Sequence, residues 1–291
     1  PQVRFATLAN HFGRRYHHSV IALDGNLACQ SRLSPDLSLE LLVDESKKRA
    51  GLDGFRQAHR VLGERRPDLL LTYNWGATEW ALVNRLWARC RHVHFEDGFR
   101  PDEVGGQLRR RILFRRLALP FAKLIVVPSR NLERIARQDW GAPARQVRYI
   151  PNGIDVSRFD GVPDPSLLPG LVRTPGIGTI GTIATLRAEK NLKRLIDAFA
   201  MVLRDRPAQL VIAGDGPERA ALQNYATELG LADKVRFAGH VARPEDLLGL
   251  FDVFALSSDT EQMPLSVLEA MAARLPVVSV DVGDVKAMLP A

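Results

Sequence analysis

The residues best suited to chemistry lie in the run Ser257-Ser258-Asp259-Thr260-Glu261-Gln262-Met263-Pro264-Leu265-Ser266-Val267-Leu268-Glu269. An apolar stretch ending near Leu256 reads as a strand, a polar loop follows, and Pro264 suits the first position of a helix. The start of that helix, with Pro264, Leu265 and Ser266, then falls at the carboxyl edge of a parallel sheet, where open α/β folds bind ligands. Unpaired N–H groups there favour an anion. Glu261 on the loop and Glu269 within the helix can face one bound molecule. Spacing alone equally allows Glu261 as a helix-start charge favoured by the dipole and Glu269 as a surface residue. A second cluster, Thr185-Leu186-Arg187-Ala188-Glu189-Lys190-Asn191, follows another strand. Arg187 and Lys190 at a strand-to-helix junction can clamp a diphosphate, Arg as a fork and Lys as a point charge; a solvated loop is the commoner fate of such residues. Gly214-Asp215-Gly216-Pro217 reads as a tight turn into a helix.

The elements that must position these groups alternate between apolar runs and segments of helical period, the pattern of an α/β chain with a mostly parallel sheet. Strands are expected at 19–23, 68–73, 92–95 and 124–127, with helices such as 77–88 and 131–138 between them. From 151 to 176 the pattern lapses among Pro151, Pro163, Pro165, Pro169, Pro175, Gly153, Gly161, Gly170 and Gly176, which punctuate rather than build elements. That stretch reads as a linker between a domain at 1–150 and a second at 177–291. In the second domain, strands are expected at 177–183, 209–213, 235–238, 252–256 and 276–280. Helices are expected at 192–203, 218–229, 244–249 and 264–273. The fold class is α/β, with two Rossmann-like doubly wound parallel-sheet domains. Val3, Phe5, Ala6, Leu8 and Ala9 read as a helix where such a domain normally opens on a strand, and a new helix begins after Gly283 near the other end. Both ends are therefore expected to be internal to a longer fold.

Gly176-Ile177-Gly178-Thr179-Ile180-Gly181 matches the GxGxxG dinucleotide fingerprint but not its context, which requires a preceding strand and a following helix. These glycines read instead as a strand approached closely by backbone or ligand. In the first half, His92, His94 and Glu96 share one face of a strand of period two. Two histidines and a carboxylate can hold a metal, but no further ligand spacing accompanies them, and none is expected. His94, Glu96 and Asp97 are expected at the strand's carboxyl end, facing an interdomain crevice. Tyr73-Asn74-Trp75-Gly76 ends its own strand in the same way, and an exposed Trp75 beside Asn74 would suit a sugar ring; the alternative is a packed loop. Arg109-Arg110-Arg111-Ile112-Leu113-Phe114-Arg115-Arg116-Leu117 mixes cations with apolar residues, as membrane-surface helices and anion sites do, or simply presents a solvated basic face.

Composition narrows the partners. The 291 residues are 46% hydrophobic and 25% charged, which excludes a disordered or fibrous chain. No apolar run approaches the ~18 residues of a membrane span. No signal peptide is recognisable, and Cys29 and Cys90 form no CxxC pair, so the reading is a reducing compartment. Residues 1–150 hold 26 Lys and Arg against 15 Asp and Glu, or +11; residues 151–291 hold 14 against 18, or −4; the sum is the chain's +7. Such asymmetry points to two domains with different partners. Nucleic acid is not expected, because no recognised module is present.

Taken together, these motifs resemble the retaining, nucleotide-sugar-dependent glycosyltransferases of family four, also called group one, which have the GT-B architecture of two facing Rossmann-like domains. The resemblance covers essentially the whole chain. It rests on Glu261 to Glu269 running into Ala270-Met271-Ala272-Ala273 and Leu275-Pro276-Val277-Val278, on 186–191, on 214–217, and on Ile150-Pro151-Asn152-Gly153-Ile154-Asp155 with Phe159. It implies that Lys190 and an arginine hold the donor diphosphate, that Glu269 binds the ribose hydroxyls, and that Glu261 with the amides after it grips the transferred sugar. The acceptor would sit on the first domain, with His94 or its neighbours near the reacting centre. The nucleoside diphosphate would be neutralised by cations and a helix N-terminus, without a metal or other cofactor. The family often has Gly-Arg where this chain has Ala184-Thr185, so Arg187 is expected to replace the phosphate arginine; Gln262 replaces a usual glycine.

The resemblance thus implies a transferase acting on a nucleotide-sugar donor and a glycan or glycolipid acceptor. Gly214, Arg187, Lys190, Glu269 and residues 264–266 would form the donor site. A cytoplasmic protein, peripheral on the inner face of the membrane through its basic half, is expected. The alternatives are a GT-B isomerase or non-catalytic nucleotide-sugar-binding protein, and a basic interaction module for anionic membranes or nucleic acid.

Overall fold

The computed structural model describes residues 2–42, 51–99, 103, 106–168, 171 and 176–289. Part of the 151–176 stretch, including Pro169, Gly170 and Pro175, lies outside the described residues. The chain divides into two compact units: Pro1–Phe99 with Gly106–Ile150, and Arg100–Gly105 with Pro151–Ala291.

In the first unit, α1 (Gln2–Phe12) precedes a parallel pair formed by β1 (His18–Val20) and β2 (Leu39–Leu41). The main sheet is parallel, with β3 (Leu69–Tyr73), β4 (Arg91–Phe95), β5 (Leu124–Val127) and β6 (Val147–Tyr149) in sequential order. Helices α2 (Leu52–Arg65), α3 (Thr78–Val83), α4 (Arg109–Ala118) and α5 (Arg130–Gln138) join these elements. Ser129 opens α5 by accepting the Leu132 amide at 3.0 Å, and Leu132, Ile135 and Ala136 then share its buried stripe. That stripe packs with Ile125 and Val127 of β5 and with Trp140. A second apolar cluster joins Ala58 and Leu62 of α2 to Trp80 and Val83 of α3.

The segment expected as one helix over 77–88 is α3 followed by a π-turn at Asn84–Ala88. Its cause is Asn84, whose side-chain amide donates to the Cys90 carbonyl at 3.0 Å and accepts from the Cys90 amide at 3.1 Å, drawing the chain out of register. The strand expected at 19–23 spans His18–Val20 only.

The second unit comprises β7 (Gly178–Ile183), α6 (Leu192–Asp205), β8 (Ala208–Ala213), α7 (Arg219–Glu228) and β9 (Val235–Gly239). It continues through α8 (Pro244–Leu248), β10 (Val253–Leu256), α9 (Leu265–Ala272), β11 (Val277–Ser279) and α10 (Val285–Met288). Its five strands are parallel in the order β11-β10-β7-β8-β9. Side chains of β8 alternate between two cores: Leu210 and Ile212 pack with α6 and α7, while Val211 and Ala213 pack with α8 and α9. Helices on both faces make this a doubly wound sheet. Both units are Rossmann-like, as the sequence patterning predicts.

Of the three glycines in the run 176–181, Gly181 has a packing explanation. Gly181 lies within β7, and a Cβ there would overlap the ring of Phe251. The position needs hydrogen because an aromatic side chain, not a pyrophosphate, lies against it.

Candidate functional site

In the second unit, the order β11-β10-β7-β8-β9 makes β7 and β10 neighbours from which the chain winds away in opposite directions. Such a switch point leaves a crevice at the carboxyl ends of the strands. The loops after β7 and β10 carry the two clusters singled out by type and spacing, and they meet there.

Lys190 Nζ lies 2.5 Å from Glu261 Oε1, and Ser258 Oγ donates to the same oxygen at 2.8 Å. Ser257 Oγ donates to the Lys190 carbonyl at 3.0 Å, and the Asp259 amide to the Glu189 carbonyl at 2.9 Å. Asn191 makes the turn possible. It adopts the left-handed conformation at φ 43°, which asparagine tolerates better than most residues. Its side chain accepts from the Arg194 amide at 3.2 Å to start α6, and donates to Asp259 at 2.9 Å. Arg194 adds a 2.6 Å bond to Asp259 and a 3.0 Å bond to the Ser257 carbonyl. The Asp259 carboxyl is held below its ordinary pKa chiefly by the Asn191 hydrogen bond, which outweighs the opposing effect of burial, with the hydrogen bond and charge of Arg194 adding to it.

Glycines set how closely the neighbouring loops approach. A Cβ on Gly214 would overlap the Ala184 carbonyl oxygen, and one on Gly216 the Leu186 carbonyl oxygen. A Cβ on Gly283, at φ 57°, would overlap the Glu261 carbonyl oxygen. Asn152 donates from its side chain to the Met263 carbonyl at 2.7 Å, tying the start of this unit to the loop after β10.

Pro264 is not the first helical residue expected of it. It is the cap of α9 in extended conformation, so Leu265 begins the helix. No side chain caps the helix, so its first turn presents amides at the crevice edge. Arg187 turns outward, half exposed and 3.9 Å from Glu189, while Lys190 and Glu261 are mostly buried. Glu269, half-buried in α9, lies in the field of Arg158. Arg158 chelates Glu245 Oε1 through Nη2 at 2.6 Å and Nε at 3.2 Å, and that hydrogen bond chiefly raises the Arg158 pKa. The sequence reading missed Arg158, since 87 positions separate it from its partner and no local pattern links them.

In the first unit, His92, His94 and Glu96 do share a face, where hydrogen bonds and an ion pair link them to their neighbours. Thr72 Oγ1 bridges the rings, 2.7 Å from His92 Nε2 and 2.8 Å from His94 Nδ1. Among the described residues, no three His, Cys, Asp or Glu side chains are placed to hold a metal ion. Burial, aided by His94, lowers the His92 pKa to about 3, so the ring is neutral. His94 and Glu96 are fully buried: Glu96 Oε2 lies 3.6 Å from His94 Nε2 and 3.5 Å from Arg115 Nε. The face expected to line a crevice is interior at these two positions; Asp97, bound to Arg4 at 2.8 Å, retains some exposure.

Arg111 and Arg115 are likewise inside the fold, four residues apart on the inner stripe of α4. The Arg115 guanidinium lies 5.1 Å from the Trp75 and Trp140 ring centroids and 5.3 Å from that of Phe99. Trp75 is consequently packed rather than displayed. Asn74, at φ 56°, accepts the Asp97 amide at 2.7 Å, joining the ends of β3 and β4.

The second unit is a doubly wound α/β domain with a cation and a carboxylate paired at its switch point, the place where open α/β folds bind ligands. The chain belongs to glycosyltransferase family 4: the pattern described as Glycosyltransferase Family 4 matches residues 2–158, and that described as Glycosyl transferases group 1 matches residues 176–289. It is 34% identical over 150 residues to the GDP-mannose-dependent alpha-(1-6)-phosphatidylinositol monomannoside mannosyltransferase of Mycobacterium tuberculosis, covering 47% of this chain and 38% of that protein. To the alpha-monoglucosyldiacylglycerol synthase of Streptococcus pneumoniae it is 33% identical over 141 residues, covering 45% and 32% respectively. The chain spans less than half the length of the curated relatives it matches. Anabaena HepE, solved with UDP and glucose, superposes with a TM-score of 0.80 at 21% identity, covering 100% of this chain and 79% of that one, a likeness of fold.

Proposed function

We propose that the chain transfers a sugar from a nucleoside-diphosphate sugar to a glycan or glycolipid acceptor, with retention of anomeric configuration. Family membership supports the reaction class, and two relatives named for lipid substrates or products, a phosphatidylinositol monomannoside mannosyltransferase and a monoglucosyldiacylglycerol synthase, support a lipid-linked acceptor. The observation that carries the reading is the Lys190–Glu261 pair at the switch point, beside the uncapped start of α9.

In this reading Lys190 and, after a rotation away from Glu189, Arg187 take the diphosphate. The amides of Leu265 and Ser266 add the helix dipole to the same charge. As the bond from the anomeric carbon to the diphosphate breaks, these groups stabilise the leaving anion. Glu261 accepts from hydroxyls of the transferred sugar and Glu269 from those of the ribose, while Gly214, by admitting the Ala184 carbonyl at close range, holds together the loops that flank the nucleotide. The acceptor side falls to the first unit, with Asp97 beside the buried His94 and Glu96. No metal or other cofactor has a role in this scheme.

The protein is proposed to act at a cytoplasmic membrane face. Arg109, Arg110, Leu113, Arg116 and Leu117 are the exposed residues of α4, an apolar and cationic mixture suited to an anionic interface. Among the described residues, no helix is long and apolar enough to cross a membrane. Equal sedimentation with neutral and anionic liposomes would remove this part of the reading.

Thermal unfolding with UDP, GDP, ADP and an NAD control, in EDTA throughout, tests the donor site. A ligand that binds the native state alone must raise its stability. One diphosphate should raise Tm where NAD does not, and Lys190→Ala and Glu269→Ala should abolish the shift; shifts unchanged in both variants refute the assignment.

A further inference from the structure

The first unit carries a groove at the opposite end of its sheet from Glu96 and Asp97. It has a volume of about 480 Å³ and runs along the amino ends of β4, β5 and β6. Its walls include Arg89, Arg91, Lys123, Arg145 and Arg148, and no acidic residue lines it. All five cations are exposed, and among the described residues none forms an ion pair. Several other exposed arginines of this unit do have carboxylate partners, among them Arg65 with Glu40, Arg130 and Arg137 with Glu133, and Arg14 with Asp36. Like charges gathered without counter-charge repel one another, and the groove concentrates their field.

Two further features give the groove a chemistry beyond charge. Gln146 lines it with its Oε1 withdrawn from water and lacking a hydrogen-bond donor, so a rotation of the amide toward the groove would gain a bond from a hydroxyl supplied there. Phe121 also lines it, with much of its ring open to solvent. Arg85 holds that ring from one side, its guanidinium 3.5 Å from the centroid, while donating to the Leu117 carbonyl. At the floor, His92 stays neutral to about pH 3 and adds no charge that varies with pH.

We propose that this groove is a binding site for a phosphorylated polyol, whether a free sugar phosphate or the headgroup of an anionic lipid. The five cations would meet the phosphate oxygens, Gln146 a hydroxyl, and Phe121 the C–H face of the polyol. The site belongs to a different unit from Lys190 and Glu261 and does not depend on their assignment.

The test uses the whole chain carrying Lys190→Ala, which silences the candidate diphosphate site, with fructose 1,6-bisphosphate as the soluble probe. Vesicles of phosphatidylcholine with and without phosphatidylglycerol form the second arm. Calorimetric binding of the bisphosphate, or sedimentation specific to phosphatidylglycerol, is expected. It should fall about tenfold or more in Arg91→Glu/Arg148→Glu and in the milder Lys123→Gln/Arg145→Gln, with Tm unchanged in at least one pair. Loss confined to the bisphosphate arm identifies a free sugar phosphate, and loss confined to the vesicle arm identifies a headgroup. Absence of binding in both arms, or binding retained in both folded variants, overturns the proposal.

Discussion

Lys190 and Glu261, 71 positions apart, form a 2.5 Å ion pair that links the loop after the first strand of the second unit to the loop after its fourth. The pair is largely but not wholly withdrawn from water, so its own contribution to stability is modest, about 1 kcal/mol or less. Its importance lies in competition, because the ammonium that would bind a phosphate is already engaged by a carboxylate.

Glu261→Gln keeps the shape of the loop and removes that competition. Nucleoside diphosphate affinity, measured by calorimetry, should be unchanged or tighter than in the parent, while the transfer rate falls by roughly a hundredfold with loss of the sugar contact. Weaker diphosphate binding would mean that Glu261 organises the phosphate site rather than the sugar site.

Asn191 combines a left-handed turn, a helix cap and a bond to Asp259. Asn191→Ala should lower unfolding free energy by about 2 kcal/mol, the sum of a lost cap and a left-handed residue without its polar side chain. Asn191→Gly, which retains the conformation, should lose less. Urea unfolding of the two variants provides the comparison.

Gly214→Ala should destabilise far more than Gly176→Ala. The first change drives a Cβ into the Ala184 carbonyl, whereas the space around Gly176 is open although its φ of 86° is also unfavourable. Backbone strain alone is worth about 1–3 kcal/mol at such positions, and overlap with a fixed carbonyl adds to it. Equal Tm losses in the two variants would contradict the close loop approach.

His92 makes the first unit sensitive to acid. Its pKa is near 3 when folded against an ordinary 6.5, so the unfolded chain binds the proton first. Stability from this group is intact above pH 6.5, declines by about 1.4 kcal/mol per pH unit below it, and levels off near pH 3. Replacing His92 by Gln should flatten the slope of unfolding free energy between pH 6 and 4; an unaltered slope would assign it to other groups.

Arg115 and Glu96 are both fully buried, and removing one charge strands the other. Arg115→Met should cost about 3–5 kcal/mol, and Arg115→Met/Glu96→Gln should recover much of that loss. A double-mutant cycle by chemical denaturation measures the coupling.

The positions of β7, β8 and β10 were legible because each is a short apolar run closed by turn residues, and the burial of β8 on both faces demanded continuous apolarity. The meeting of 186–191 with 257–264 followed from parallel strand order, a topological rule rather than a local signal. Other features had no comparable signal. Arg111 and Arg115 read as part of a basic surface because a charge count cannot reveal that Trp75, Phe99 and Trp140 will surround a guanidinium. Arg158 owes its place beside Glu245 and Glu269 to tertiary folding alone. The π-turn at Asn84 depended on one side chain bonding to both backbone groups of Cys90, which helical periodicity does not register.

The three bare Cα atoms at 214, 216 and 283 bear on any attempt to redesign this crevice. They fix the spacing of the loops by direct backbone apposition, leaving no side chain whose trimming or enlargement could widen or narrow the gap by degrees. Libraries aimed at altered ligand preference would do better to vary Gln262, Met263 and Arg187 and to leave those glycines untouched. Diversity at the glycines would be spent on chains that cannot close the crevice at all.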